Sequence, residues 1–194
     1  MILSNQEIQA RMGEDLTIEP FDPSRLNANS YNLSLHHELL VYEEVVLDAA
    51  SPNRYRRIEI PKDGFTLQPG TLYLGRTVEH TETRKHVPVL HARTSLGRLG
   101  VIINAGGSFG QAGYCGTWTL EMHCVQPVRI YPGMQVCQIS YHKLCGEFAA
   151  GENDKYQNSR EIQPSLMHRE LGYDVHDTQL KLELGLDDSI RAAR

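Results

Sequence analysis

The feature that most constrains the fold is an alternation of apolar and polar residues over short stretches that turn residues separate. In the first half of the chain, apolar side chains recur at every second position in the stretches 31–35, 39–41, 65–67 and 72–74. Prolines and glycines, as in Gln68-Pro69-Gly70, stand between the stretches. A period of two is typical of half-buried strands, so we predict many short strands joined by tight turns.

The second half continues this pattern, and a helix is indicated only at the N-terminus. Strand-like stretches cover 101–103, 117–124, 127–130 and 134–141. Ser4 and Glu7 have the spacing of a capping box, and Ile8 and Met12 follow at helical spacing until Gly13. One short helix and many strands favour a mainly β domain, a β-sandwich or a β-barrel.

Composition limits the class of protein. The chain has 194 residues, of which 40% are hydrophobic, and this suffices for one soluble domain with a sizeable core. Its apolar runs are far shorter than the roughly 18 to 20 residues of a membrane helix, and no signal peptide is recognisable, so we expect no membrane partner and a cytoplasmic location. A net charge of −5 also argues against a nucleic-acid partner.

The cysteines and histidines give no sign of a metal site. The four cysteines contain no C-x-x-C pair, so we expect small buried residues rather than zinc ligands. His36-His37-Glu38 contains half of the zinc-deaminase motif, but no P-C-x-x-C follows and neighbouring strand residues would point to opposite faces. P-loop, Rossmann and serine-nucleophile motifs are absent from the sequence as well.

A long segment without acidic residues is the strongest functional signal. No Asp or Glu occurs between Arg84 and Leu120, although even spacing would place about four or five there. Two arginines and two hydroxyls occur together in 93–100, where they could bind one anion such as phosphate. A solvated basic loop is the alternative.

Glycines and a carboxylate complete this region. The glycines of 104–110 permit a sharp turn or a close approach of backbone to ligand, although a plain hairpin accounts for them almost as well. In the next strand, alternation places Trp118, Leu120 and Met122 in the core and Thr117, Thr119, Glu121 and His123 on the other face. Glu121 is the first acid after the gap. A carboxylate beside arginines stays ionised and could act as a general base.

Several motifs in collinear order resemble the dCTP deaminases of the trimeric dUTPase superfamily. These are Ala92-Arg93-Thr94-Ser95-Leu96-Gly97-Arg98-Leu99-Gly100, the segment from Gly113 to Glu121, Tyr131-Pro132-Gly133-Met134-Gln135 and Lys155-Tyr156-Gln157. The similarity covers residues 1–168, which we predict to be one deaminase-like domain. Residues 169–194 form a tail in which Leu180, Leu182, Leu184 and Leu186 alternate with other residues, as in an added strand or a partner-binding arm.

The resemblance implies a distorted β-barrel that forms a homotrimer, with sites at subunit interfaces and a deoxynucleoside triphosphate bound together with Mg²⁺. It assigns Glu121 as the base that activates water for attack on cytosine C4, with Arg98 orienting it. No metal ligand is implied within the protein. Contacts to substrate or water are implied for Arg93, Thr94, Ser95, Gly107, Gln111, Thr119, Leu120, Lys155 and Tyr156.

The sequence departs from the family pattern at several positions. Gln111 stands where the family has an aspartate near the deoxyribose, and an amide can hydrogen-bond a hydroxyl but cannot act as a base. Phe148 replaces a common tyrosine, Ser159 replaces a glutamine, and Thr94 replaces a serine. The substitutions lead us to expect a changed preference among cytosine nucleotides.

Three functions follow from these observations. The leading hypothesis is zinc-independent deamination of dCTP to dUTP and ammonia. The second is a catalytically silent trimeric nucleotide-binding or regulatory protein. The third is a bifunctional deaminase and dUTP diphosphatase, against which the missing aspartate counts.

Overall fold

The architecture was obtained from a computed structural model, which describes residues 1–104, 108–147 and 155–171. Strands dominate these residues, as the alternation predicts. The helices are α1 (Asn5–Ala10), α2 (Thr94–Gly97) and α3 (His168–Leu171), with a 3-10 turn at Pro23–Arg25. The strands are β1 (Leu16–Glu19), β2 (Leu26–Asn27), β3 (Ser30–Ser34), β4 (Glu38–Tyr42), β5 (Tyr55–Glu59), β6 (Phe65–Leu67), β7 (Tyr73–Arg76), β8 (His80–Thr83), β9 (His86–Ala92), β10 (Val101–Asn104), β11 (Cys115–Gly116), β12 (Thr119–Cys124), β13 (Val128–Ile130) and β14 (Gln135–Lys143).

The strands form four sheets. Their orders are β10-β12-β7-β4-β5, β2-β3-β14-β9, β1-β8-β11 and β13-β6. None of these orders closes on itself within the described residues. The prediction of a mainly β fold with a short N-terminal helix is therefore confirmed, with open sheets in place of a closed barrel.

Two compact units are distinguished along the chain. The first comprises residues 1–42 and 56–164, and it holds the sheets and the main core. The second comprises residues 43–55 and 165–194. In its first part the Asp48 carboxylate accepts hydrogen bonds from Ala50 N at 2.8 Å and Ser51 Oγ at 2.7 Å, which fixes a turn. The division into residues 1–168 and a tail of 169–194 stays a prediction, and residues 172–194 lie outside the described part of the chain.

The core of the first unit is built from side chains of its two largest sheets. Tyr31 on β3 and Tyr141 on β14 are fully buried, and so are Leu120 and Met122 on β12. Complete burial of such side chains is worth about 1.5 to 3 kcal/mol each. This core fixes the register of β12, and β12 carries Glu121.

The predicted start of the N-terminal helix is confirmed, but the predicted helix is longer than the observed one at its C-terminal end. The Ser4 hydroxyl accepts a hydrogen bond from Glu7 N at 3.3 Å, so the predicted cap forms, and Ile8 is fully buried. The helix stops at Ala10, and Arg11 forms its C-cap. No helix in the described part of the chain is long and apolar enough to cross a membrane.

Other elements differ from their predictions. The alternation does not predict β9, because its residues His86–Leu90 are all buried and the polar half of the pattern is then absent. Predicted strand 117–124 begins only at Thr119. Cys124 and Cys137 are buried in strands as expected, whereas Cys145 is exposed and lies outside the strands.

Candidate active site

The basic cluster lies on a turn of helix directly after β9. Arg93 is the N-cap residue of α2, and the buried side chain of Leu96 anchors the turn in the core. Thr94, Ser95 and Arg98 are left at the surface. Hydroxyls at the surface beside a guanidinium are suited to an anionic ligand.

Arg93 is tied to the neighbouring strand β14. Its backbone N–H donates to Val136 O at 3.0 Å, and its Nη1 donates to Gln135 Oε1, also at 3.0 Å. The residue is half-buried, and most of the five donors of its guanidinium are not used by this contact. Arg93 is therefore held in place without being neutralised.

Glu121 lies in the middle of the five-stranded sheet. β12 pairs antiparallel with β10 and β7, which places Glu121 opposite Asn104 on one side and Leu74 on the other. Directly opposed residues share a sheet face, so these three side chains are neighbours. The Glu121 side chain is half-buried, and it makes no hydrogen bond or ion pair within the described residues.

The alternation predicted for this strand is confirmed with one exception. Trp118, Leu120 and Met122 are buried, while Thr119 and Glu121 are half-buried and His123 is exposed. Thr117 is instead buried, because its N–H donates to Ser159 O at 2.8 Å and the chain covers it there. It precedes β12 and does not follow the alternation of that strand.

Thr119 and Leu120 occupy the start of β12. The Thr119 hydroxyl accepts a hydrogen bond from Gln163 N at 3.0 Å, and Leu120 lies opposite Gly75 in the ladder with β7. Both residues are on the strand of Glu121, so the structure brings these three predicted site residues together.

Arg98 is not brought to Glu121 within one chain. The arginine side chain is exposed, and no ion pair within 4 Å joins it to Glu121 or to any other described carboxylate. The predicted orienting contact between the two residues is therefore absent from the single chain.

Gln111 lies on the surface next to a tightly packed turn. Its carbonyl accepts a hydrogen bond from Tyr114 N at 3.2 Å, and its side chain is exposed. The preceding Gly110 has no room for a side chain, since an added Cβ would stand 2.5 Å from the Trp118 ring. Gly107 and Phe148, which the resemblance also singled out, lie outside the described residues.

Lys155 and Tyr156 begin a segment, residues 155–164, that runs beside the turn 113–117. The Gln157 side chain accepts from Cys115 N at 3.0 Å and donates to Gly113 O at 2.7 Å. Lys155 Nζ lies 5.7 Å from the centre of the Tyr156 ring. The segment therefore places both predicted residues close to the turn that follows Gln111.

Sequence reasoning missed a polar network beside Thr119. Arg76 lies opposite Thr119 in the ladder between β7 and β12, and its Nη2 is 2.6 Å from His36 Nε2. Burial, with the positive charge of Arg76 and the neighbouring His37, lowers the pKa of His36 to about 4. His36 is therefore neutral at pH 7, and its other ring nitrogen lies 3.6 Å from Glu38 Oε2.

This network reaches the segment 155–164. Arg57 Nη1 lies 3.6 Å from Glu38 Oε1 and 3.2 Å from Glu161 Oε2. No local pattern marks such a network, because its members come from four separate parts of the chain. The network reaches Glu161, and two residues further on the backbone N–H of Gln163 donates to the Thr119 hydroxyl at the start of β12.

His36, His37 and Glu38 also form a compact group whose ligand atoms lie within 4.8 Å of one another. The expectation that the two histidines point to opposite faces is wrong, because they lie in a bend between β3 and β4 and their ring centres are 3.9 Å apart. Arginine can only donate, so its contact makes His36 Nε2 an acceptor and puts the proton on Nδ1. A protonated Nδ1 does not bind a metal, and this tautomer disfavours a metal site.

Comparison with known proteins places this geometry in a family. The family model described as dCTP deaminase-like matches residues 2–144, which include α2, Glu121 and the strands around them. The chain belongs to the dCTP deaminase-like family. The prediction drawn from the motifs is confirmed.

Two relatives illustrate the range within this family. A protein of Rhodopirellula baltica named dCTP deaminase is 69% identical over 192 residues, which cover 99% of this chain and 96% of that protein. A protein of Clostridium beijerinckii named dCTP deaminase, dUMP-forming, is 53% identical over 170 residues, covering 88% of this chain and 98% of that protein.

A solved structure agrees on the fold. The dCTP deaminase from Agrobacterium tumefaciens superposes with a TM-score of 0.58 at 19% sequence identity. The superposition covers 72% of this chain and 47% of the other chain, so this chain spans about half of that protein's length.

Proposed function

We propose that this chain is an enzyme that hydrolytically deaminates dCTP to dUTP and ammonia, with Glu121 as the general base. The observation that carries this proposal is the position of Glu121, which stands half-buried on β12 without an internal partner among the described residues. Membership in the dCTP deaminase-like family supplies the substrate class.

In the proposed reaction, the Glu121 carboxylate takes a proton from a water molecule as its oxygen attacks C4 of cytosine. Glu121 passes this proton to ring nitrogen N3 and then transfers the proton of the new C4 hydroxyl to the amino group, which leaves as ammonia as the C4 carbonyl forms. A positioned general base contributes about 10²- to 10⁴-fold to such a rate. Thr119 and Leu120 would contact the base, and Gln111 the sugar.

The triphosphate is assigned to the turn at α2. Arg93, Thr94 and Ser95 offer donors there, and Lys155 and Tyr156 would close over the phosphates. This turn has no carboxylate of its own, so its residues fit an anion, with Mg²⁺ held by the phosphate oxygens of the substrate. When bound, Mg²⁺ would neutralise part of the triphosphate charge.

We further propose that the active form is a homotrimer. Arg98 is exposed and does not reach Glu121 in its own chain. A site at an interface would let the arginine of one copy approach the glutamate of another. Such an arrangement also accounts for Arg93 and Arg98, which have no carboxylate partner among the described residues of one chain, whereas Arg84 pairs with Glu82 and Lys85 with Asp15.

A second candidate function is favoured by the relatives. The Clostridium beijerinckii protein is named as dUMP-forming, and so is one of Hathewaya histolytica that is 53% identical over 170 residues. Such a product requires hydrolysis of the triphosphate after deamination. Gln111 counts against this activity here because an amide cannot accept the proton of an attacking water.

One incubation tests these alternatives. The full chain is mixed with dCTP and Mg²⁺, and dUTP, dUMP, pyrophosphate and ammonia are measured over time. We expect dUTP and ammonia in equal amounts. Stoichiometric dUMP and pyrophosphate would establish the second function, and the absence of any ammonia would overturn both.

The same assay tests whether the reaction is independent of zinc. Pretreatment with a zinc chelator, followed by removal of the chelator and addition of Mg²⁺, should leave the rate unchanged. A lost rate that only zinc restores would contradict the proposed mechanism. The cytoplasmic location stays a prediction, which fractionation of the source cells would check.

A further inference from the structure

A second cationic region lies apart from the residues assigned to the nucleotide. It surrounds an open cavity of about 290 Å³ at the end of α1, the turn between β8 and β9, and the end of β14. Its lining residues are Arg11, Asp15, Lys85, His86, Lys143 and Leu144. This size is near the lower limit for small-molecule pockets, so it suits a small ligand.

The charges around this cavity favour an anion. Arg11, Lys85 and Lys143 contribute three positive charges, and Asp15 is the one acidic residue in the lining. Asp15 is shared, since Arg11 Nη1 lies 3.2 Å and Lys85 Nζ 3.7 Å from its carboxylate oxygens. Lys143 forms no ion pair with any described residue. Arg11 Nη2 also pairs with Glu7 at 2.9 Å, so the three cations and these two carboxylates leave one net positive charge at the cavity.

Two buried nitrogens at this cavity lack hydrogen-bond partners within the described chain. They are Arg11 Nε and His86 Nδ1. A buried polar atom without a partner is unfavourable, so a ligand that supplies an acceptor would be favoured.

His86 is held firmly at this position. Only 4% of the residue is exposed. The Thr83 hydroxyl donates to His86 O at 2.7 Å, and His86 N donates to Thr83 Oγ1 at 3.1 Å. Burial and the positive charge of Arg11 lower the pKa of His86, with Lys143 and Lys85 adding to the effect and Asp15 opposing it. The His86 ring therefore interacts electrostatically with the cations that line the cavity.

We propose that this cavity binds the phosphoryl group of a small ligand, at a site separate from the nucleotide site. An oxyanion complements the net positive charge of the lining, and lysine ammonium groups bind phosphate as point charges. Lys85 and Lys143 would donate to its oxygens, while His86 Nδ1 would complete the contact from the buried side. The phosphoryl group could belong to free phosphate or to a nucleoside monophosphate.

Calorimetric titration of the full chain with inorganic phosphate tests this site. The parent protein should bind phosphate, and Lys143→Glu should weaken binding by about tenfold or more, because it reverses a charge at the cavity. Lys85→Glu should act in the same direction. The matched control is Lys62→Glu, which changes an exposed lysine in the turn before β6 and should bind like the parent.

Two further measurements distinguish this cavity from the nucleotide site and identify the source of the phosphoryl group. Arg93→Ala removes a residue assigned to the nucleotide and should leave phosphate binding at the cavity intact. Titration with a nucleoside monophosphate shows whether the phosphoryl group is recognised alone or as part of a nucleotide. Nuclear magnetic resonance of the ring nitrogens should show a shift of His86 on binding.

The proposal is overturned if the parent binds neither probe up to about 20 mM, which corresponds to negligible affinity. It is also overturned if Lys143→Glu and Lys85→Glu bind as tightly as Lys62→Glu. Loss of phosphate binding in Arg93→Ala alone would place the anion at the nucleotide site and contradict a separate one.

Discussion

Two glutamates of this chain have the same chemistry and opposite surroundings. Glu79, in the turn before β8, is fully buried, forms a close ion pair with Arg25 and accepts a hydrogen bond from Ser34 N at 2.8 Å. Glu121 is half-buried and has no such partner among the described residues. A carboxylate whose oxygens accept hydrogen bonds from the protein stabilises the fold. A carboxylate whose oxygens have no such partners is available to a bound molecule.

The largest effect on stability is expected at Glu79. Replacing it by alanine leaves Arg25 without its partner and Ser34 N–H without its acceptor. Loss of one member of a buried ion pair typically costs about 3 to 5 kcal/mol, and we expect the lower end because Arg25 is partly exposed. Urea unfolding of Glu79→Ala measures this difference.

The matched control for this variant is Glu82→Ala. Glu82 is also paired with an arginine, but both side chains are exposed and lie 3.6 Å apart. Exposed pairs contribute about 0 to 1 kcal/mol. Equal stability loss in the two variants would show that burial does not distinguish Glu79.

At Glu121 we expect a large loss of activity and little loss of stability. Glu121→Gln retains the shape but cannot accept the proton of water, so kcat for deamination should fall by about 100-fold or more. Its free energy of unfolding should stay within about 0.5 kcal/mol of the parent, as for other substitutions without native partners. Near-normal deamination by this variant would refute the assignment of the base.

Titration of His36 is expected to make a smaller difference to the free energy of unfolding as the pH falls. Its pKa is lowered to about 4, so between pH 6.5 and 4 the unfolded chain binds a proton that the folded chain does not. The resulting stability is present above pH 6.5 and is lost as the pH falls toward 4. Allowing for solvent screening, the loss is about 1 to 2 kcal/mol.

Unfolding of the parent and of His36→Gln at pH 7 and at pH 4.5 measures this contribution. The variant keeps an acceptor for Arg76 but does not titrate, so its stability should change less than that of the parent over this range. The same pH dependence in both proteins would remove His36 as the source.

The smallest effect is expected at Gln111, and it concerns the hydrolysis of dUTP. Parent protein given dUTP and Mg²⁺ should release little or no pyrophosphate, and Gln111→Asp should gain a trace of this activity because it restores a carboxylate. Gln111→Asn is the control that changes length without charge. Rapid pyrophosphate release by the parent would show that another residue supplies the base.

Apolar alternation predicts β12, but it misses β1 and β8 although their burial alternates, because β1 is only four residues long and β8, His80–Thr83, has no apolar side chain. Glu121 could be placed on the open face of its strand because Leu120 and Met122 alternate with it. β9 could not be found in this way, since burial on both sides removes alternation.

The candidate site shows the same limit. Its arginine turn and its carboxylate lie in continuous motifs, so a local pattern reveals them. The contact of Arg76 with His36 joins residues 40 positions apart, and pairing of distant strands creates it. In the proposed trimer, Arg98 would meet Glu121 of a second copy, which the pattern of one chain does not describe.

We infer that Glu121 lacks a partner in one chain because substrate and a second copy complete its site. Mixing two inactive variants, Glu121→Gln and Arg98→Ala, after co-refolding tests it directly. After random mixing in equal amounts, about three quarters of the trimers contain both variants, and about one in three interfaces of each such trimer combines an intact Glu121 with an intact Arg98 from another copy, which is about one quarter of all interfaces. We therefore predict that about a quarter of the parent activity returns. Mixed trimers without activity, or a fully active monomer by light scattering, would show that the site does not need a second copy.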